Sequence, residues 1–293
     1  MREDFAVFIL SHGRAGNIKT LNALQKGNYT GKYYIIIDNE DGQADEYYKL
    51  YGDKVIMFDK LAVSKTFDTC DTFNDRRTIV YARNACFDIA EQLGLEYFLE
   101  LDDDYVDFEY RKIENGVLAV VCCRQLDRLF ESMIDFLEAS GAKTVALAQG
   151  GDFIGGKGNS RLKQRVLRKA MNTFFCKTKN RFQFIGRINE DVNTYAKLGS
   201  EGELLLTIVD AMIVQTQTQA NSGGMTDVYL DKGTYLKSFY SVMVAPSFVT
   251  LQTMGHTHKR IHHRLDYNFG VPKILNERYR KGAVNGKERT KLK

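Results

Sequence analysis

The order of the first hundred residues restricts the fold of this 293-residue chain more than any other feature. Short apolar runs alternate there with amphipathic stretches, and each run stops in polar residues. The run Phe5–Leu10 reads as a strand, followed by a polar loop over 11–17 and a helix through Leu24. A second strand over 33–37 ends at Asp38, Ala44–Tyr51 has helical spacing, and Val55–Phe58 is a short third strand. After a polar loop, 78–93 has helical periodicity, and 97–101 is a strand that stops in Asp102-Asp103-Asp104. This β-α-β-α order predicts an α/β class with a Rossmann-like, mostly parallel central sheet covered on both faces.

The second half is less regular. Asn115-Gly116 between 106–113 and 117–123 is a hairpin signal. Leu126–Ser140 reads as a helix and Thr144–Ala148 as a strand, followed by a glycine-rich loop over 150–158. Short apolar stretches come next, then Asn189-Glu190-Asp191, a helix over 192–198 and another over Thr234–Val244. The loop has no Gly-Lys-Ser/Thr end and no GxGxxG pattern, which weighs against a P-loop kinase and a dehydrogenase. Five cysteines without a CxxC pair suggest neither a disulfide framework nor a zinc site. No apolar run has the length of a membrane-spanning helix, and 5–10 is too short for a signal peptide. A soluble cytoplasmic protein with no membrane partner is expected.

Net charge is only +4, but it is unevenly spread. Ten Lys or Arg and no Asp or Glu occur from Lys157 to Arg187, and the tail 273–293 has eight basic residues against two acidic ones. Such local excesses can attract a polyanion, although solvated surface and a frayed tail are the plain alternative.

In open parallel sheets ligands sit beyond the carboxyl ends of the strands. Ser11-His12-Gly13-Arg14, Asp38 and Asp102–Asp104 all fall at such ends. Three adjacent carboxylates repel one another unless a cation or water relieves them. In an extended segment Asp102 and Asp104 would point the same way and share one Mg²⁺ or Mn²⁺, which takes few carboxylates and completes its shell with phosphate and water. The competing reading is a solvated turn with capping aspartates. Arg14, Arg76, Arg77 and Arg83 are candidates for phosphate or base contacts, Arg83 ahead of Arg76 because its helix runs into the acidic strand. Glu190-Asp191 reads either as helix-capping acids or as a general base. His256 could complete a metal shell, with His258 competing, whereas His262-His263 beside Lys259, Arg260 and Arg264 resembles a basic surface.

The order acidic run, glycine-rich loop, Glu-Asp at a helix start and late histidine resembles the GT-A glycosyltransferase core from Phe5 to about His258. More narrowly, Ser11-His12-Gly13-Arg14-Ala15, Tyr81-Ala82-Arg83-Asn84, Leu99-Glu100-Leu101-Asp102-Asp103-Asp104-Tyr105 and Gly186-Arg187-Ile188-Asn189-Glu190-Asp191-Val192-Asn193 are similar to phage glycosyltransferases associated with TET/JBP-type DNA dioxygenases. The resemblance implies a GT-A fold and a hexosyl transfer from a UDP-sugar, UDP-glucose first, to a hydroxymethylpyrimidine such as hydroxymethylcytosine in DNA. It implies one catalytic domain over 1–270, with a nucleotide-sugar half over 1–110, an acceptor half over 111–270 and a basic tail over 271–293. It also implies Asp102, Asp104 and His256 on the metal (Mn²⁺ or Mg²⁺), and Ser11, Arg14, Asp38, Arg83, Asp102 and Asp103 around the nucleotide. Asp191 would be the base, with Glu190 competing, in a direct displacement that inverts the sugar carbon. The basic stretches then acquire a DNA partner through Lys157, Arg161, Lys163, Arg165, Arg168, Lys259 and Arg260, and the site of action is the host cytoplasm if the protein is phage-encoded. Competing readings are a GT-A enzyme acting on polysaccharide, lipid or protein, a nucleotidyltransferase, and a non-catalytic nucleic-acid-binding protein.

Overall fold

The computed structural model describes residues 1–215, 234–247, 249–254, 260–266 and 277–279, without the side chains of Arg161, Lys163, Thr234, Tyr235, Met254, Arg260 and Glu277. The first half follows the predicted order: β1 (Phe5–Leu10), α1 (Lys19–Lys26), β2 (Lys32–Asp38), α2 (Ala44–Tyr51), β3 (Val55–Phe58), a short α3 (Lys60–Ser64), α4 (Val80–Gln92) and β4 (Tyr97–Asp102). The hairpin β5 (Tyr105–Glu114) and β6 (Val117–Cys122) turns at Asn115 and Gly116, both with positive φ, as the Asn-Gly signal requires. Then come α5 (Leu126–Ser140), β7 (Thr144–Ala148), 3-10 turns through the glycine-rich loop, β8 (Val166–Leu167) and β9 (Phe174–Lys177). The described chain continues with α6 (Glu190–Ser200), β10 (Leu205–Gln215), α7 (Thr234–Val244), β11 (Val249–Met254) and β12 (Arg260–Leu265).

One large sheet runs in the order β3-β2-β1-β4-β9-β7-β10-β5-β6, with β8 beside β10. β3, β2, β1 and β4 are parallel to one another, as are β7 and β10. β9 lies antiparallel between β4 and β7, and joins the two parallel blocks. The expected mixed α/β architecture with a mostly parallel central sheet is therefore present.

Strand periodicity explains why both faces are covered. In β1, Phe5, Val7 and Ile9 enter one buried cluster with Phe130, Ile134 and Leu137 of α5. Ala6, Phe8 and Leu10 enter the other with Phe87 and Ile89 of α4 and Val192 and Tyr195 of α6. Successive side chains point to opposite faces, so a wholly apolar strand must have helices on both sides. β4 follows the same rule: Tyr97, Leu99 and Leu101 face α5, whereas Phe98 faces α4. Glu100 and Asp102 share that second direction by parity, which aims two acids at α4. No helix among the described residues is long and apolar enough to cross a membrane.

Candidate active site

The ends of β1, β2 and β4 meet at one edge because these strands run parallel. β2 and β4 lie on opposite sides of β1, so the crevice between β1 and β4 is the topological switch point of this block. The acidic run sits on it. β4 ends at Asp102, and Asp103-Asp104 form the turn into β5. This corrects the expectation of an extended segment, and the three carboxylates diverge. Asp102 Oδ1 accepts from Arg83 Nη2 at 3.0 Å. Asp103 is buried, and its oxygens accept from Ser11 Oγ and Arg14 Nη1, each at 2.7 Å. Asp104 accepts from Gln215 Nε2 at 3.3 Å. Thr20 of α1 pins the turn: its hydroxyl donates to the Asp102 carbonyl at 2.6 Å and accepts from the Tyr105 N–H at 3.1 Å.

Burial pushes the Asp102 carboxyl up to about 7; Arg83 opposes this, while Asp104 and Glu190 add repulsion. Burial and Asp103 raise Asp104 as well. A divalent cation would relieve both groups, and one or two carboxylates beside substrate phosphates are the donor set that Mg²⁺ and Mn²⁺ accept. No group of three or more His, Cys, Asp or Glu side chains gathers as a metal cage among the described residues. His256, its competitor His258, and Lys259 lie outside the described residues.

Arg83, expected beside the nucleotide, is turned inward to three carboxylates. It is 1% exposed and lies beneath the acidic edge. Its Nε donates to Glu190 Oε1 at 3.1 Å, Nη1 to Glu100 Oε2 at 3.3 Å and Nη2 to Asp102. Phe174 and Phe184 lie against the guanidinium, 4.8 and 5.8 Å from ring centre to Cζ. All three guanidinium nitrogens are engaged, so a diphosphate would have to displace a carboxylate to reach it. Glu100, which sequence reasoning passed over, is fully buried, and burial outweighs Arg83 to push it up to about 8. The signal available was a single acid inside an apolar strand, Phe98-Leu99-Glu100-Leu101.

The Glu-Asp pair opens α6, two residues earlier than expected. Asn189 before it has positive φ, and its amide donates to the Lys237 carbonyl at 2.6 Å and to Ser241 Oγ at 3.0 Å on α7. Gly186 has φ +80°, and a Cβ there would lie 2.3 Å from the Asn193 amide, so glycine alone fits this approach. Glu190 is buried and held by Arg83; burial and Asp191 raise its pKa. Asp191 is half-buried, with no side-chain hydrogen bond or ion pair among the described residues.

Asp38, expected against the nucleotide, is buried and accepts from His12 Nδ1 at 2.8 Å, with Lys60 Nζ at 3.2 Å. Burial would raise its carboxyl, yet His12 and Lys60 together hold it below the ordinary value. The side chain that reaches the surface of this pair is His12, 42% exposed, whose pKa the Asp38 hydrogen bond raises. Arg76, ranked behind Arg83 from sequence, and Arg77 line a cavity of about 470 Å³ with Phe73, Glu40 and Arg187.

The basic stretch divides. Lys157, Arg165 and Arg168 are exposed, and the side chains of Arg161, Lys163 and Arg260 lie outside the described residues. Lys169 pairs with Asp152, Lys177 with Glu138, and Arg181 with Asp88 and Glu91. Arg187 is buried and paired with Asp71 and Asp75, unlike the exposed Lys157, Arg165 and Arg168. His263 is likewise buried, and burial pushes its pKa down to about 4, which removes it from the expected basic surface.

A protein-family model described as TET-Associated Glycosyltransferase matches residues 5–224. A comparison with curated proteins finds no match. Solved structures that resemble the chain include two of glucosyl-3-phosphoglycerate synthase from Mycobacterium tuberculosis. One, in complex with Mn²⁺, UDP and phosphoglyceric acid, has a TM-score of 0.44 at 8% identity, covering 89% of this chain and 86% of the other. The second, with Mn²⁺, UDP and glucosyl-3-phosphoglycerate, has a TM-score of 0.42 at 10% identity, covering 89% and 87%.

Proposed function

The chain belongs to the TET-associated glycosyltransferase family and is a glycosyltransferase, and on that premise we propose that it moves a sugar from a nucleoside-diphosphate sugar onto the hydroxymethyl group of a pyrimidine in DNA. UDP-glucose is the first donor to test. Residues 1–110 hold the donor in this reading, and 111–270 the acceptor. The observation that carries it is the placement of Asp102 and Asp104 at the β1/β4 crevice, with the opening of α6 brought alongside through Arg83.

In this mechanism Asp102 and Asp104 would hold a divalent ion, which would offset the charge developing on the departing diphosphate. Arg14, anchored by Asp103, and His12, backed by Asp38, face the donor. Asp191 takes the proton of the acceptor hydroxymethyl group as its oxygen attacks the sugar carbon. The bond from that carbon to the diphosphate oxygen breaks, and the electron pair leaves with the nucleoside diphosphate. Attack opposite the leaving group inverts the carbon. Glu190 is tied to Arg83 and stays in place. Because the acceptor is a base, DNA must present it flipped or single-stranded.

The test is transfer of labelled sugar from UDP-glucose, with Mn²⁺, to hydroxymethylated and unmodified DNA. Label should enter only the hydroxymethylated DNA, and Asp104→Asn should abolish incorporation. Equal labelling of both DNAs, or of neither while a polysaccharide or protein acceptor is labelled, would overturn the acceptor assignment.

A further inference from the structure

We infer that Arg83 is a positioning residue that sets Asp102 and the Glu190-Asp191 pair in register from beneath the site, without touching either substrate. The inference rests on the proposed roles of Asp102 and Asp191.

Burying a guanidinium and several carboxylates removes each from water at a cost of several kcal/mol per ion, and apolar side chains of similar volume often stabilise as well or better. Stability alone is therefore a poor reason for one cation and three acids at this depth. Geometry supplies a better one. The three nitrogens of Arg83 point at three carboxylates from two separate parts of the fold: Glu100 and Asp102 on β4, and Glu190 at the start of α6. A planar fork fixes the angle between its partners, which a lysine ammonium cannot do. The fork is itself held. Phe174 of β9 and Phe184 pack against it, and Asn84, the next residue of α4, fixes the Phe184 backbone through two hydrogen bonds of 2.9 and 3.0 Å. The guanidinium takes Asp102 through Oδ1 and Glu190 through Oε1, one oxygen of each carboxylate. Two groups 88 residues apart in sequence, at positions 102 and 190, are thus tied by one rigid plane. Outer partners that orient metal ligands typically matter about 10–100-fold in affinity or activity.

Arg83→Lys keeps the charge and loses the fork. Mn²⁺ binding in the presence of UDP, followed by titration calorimetry, should weaken about 10–100-fold. The turnover rate should fall by a similar factor, while the donor KM at saturating Mn²⁺ stays near the wild-type value. Wild-type Mn²⁺ affinity and turnover per folded molecule, with only the melting temperature lowered, would show a merely structural arginine and overturn the inference. Phe174→Leu, which leaves every charge in place and loosens the plane, should shift Mn²⁺ affinity in the same direction by less. If Arg83→Lys does not fold, a folded Phe174→Leu with wild-type affinity overturns the inference instead. Wild-type protein that binds no Mn²⁺ with UDP present would fail at the earlier step and overturn the metal reading itself, and this inference with it.

Discussion

Glu190 and Asp191 are adjacent acids with unlike surroundings, and the proposed base is the less committed of the two. Glu190 is buried and committed to Arg83, whereas Asp191 has no side-chain hydrogen bond or ion pair among the described residues. Asp191→Asn should lower turnover by about 10²–10⁴-fold with donor binding retained, the range expected for loss of a general base; donor KM and single-turnover rates measure it. The second residue pair with a clear chemical signature is His12 and Asp38. The hydrogen bond that His12 donates to Asp38 raises its pKa above 6.5, with Asp41 adding to the pull and burial and Lys60 opposing it. A histidine raised in the folded state stabilises the fold fully below the unfolded value of 6.5, and that contribution disappears as pH climbs through the raised value. Asp38→Asn should therefore lower the His12 pKa, read from its imidazole NMR titration, and weaken the dependence of stability on pH above 6.5. An unchanged titration would mean that the dyad is not formed in solution.

Helix α5 shows how local signals become an element. Its apolar residues Leu126, Leu129, Phe130, Met133, Ile134 and Leu137 recur at helical spacing and are buried, and it ends on Gly141 in the left-handed region with φ 65°. Gly141→Ala should cost roughly 1 kcal/mol of unfolding free energy, because a Cβ is strained at that φ; chemical denaturation would detect it. Elements like this were legible in the sequence because each carries its own periodicity and its own stop. β9 and β10 were not. Phe174–Lys177 is four residues long, and Leu205–Gln215 is an apolar run without alternation, so each gains its identity only from the strands on either side. The candidate site divides the same way. The acidic run, Asp191 and the strand-end loops could be found from position in the chain. The burial of Asp38 and Asp103 and the inward turn of Arg83 depend on partners far away in sequence, His12, Arg14 and Glu190, which no local pattern announces.

At the scale of the whole molecule, the exposed basic residues described between 157 and 168 are the proposed contact for a long polyanion. Lys157, Arg165 and Arg168 are exposed, and the pairing of Arg165 with Asp210 is loose at 3.7 Å. If they meet the DNA backbone, replacing Arg165 and Arg168 with Gln should weaken binding uniformly across sequences. The log–log salt slope should fall by about 0.9 for each phosphate that is no longer neutralised; fluorescence anisotropy at several salt concentrations measures this, and an unchanged slope would place the DNA elsewhere. The seam between the blocks has a further consequence, one of timing. β9 bonds to β4 on one side and β7 on the other, yet it follows both in the chain, and it carries the Phe174 ring that lies against Arg83. A nascent polypeptide emerging from the ribosome can assemble its first four parallel strands early, but their margin stays raw for some seventy further residues. Chains stalled before residue 174 should be cut readily by protease within 1–104, and those released past 200 should resist, since only then do the seam and the start of α6 arrive to close the acidic edge.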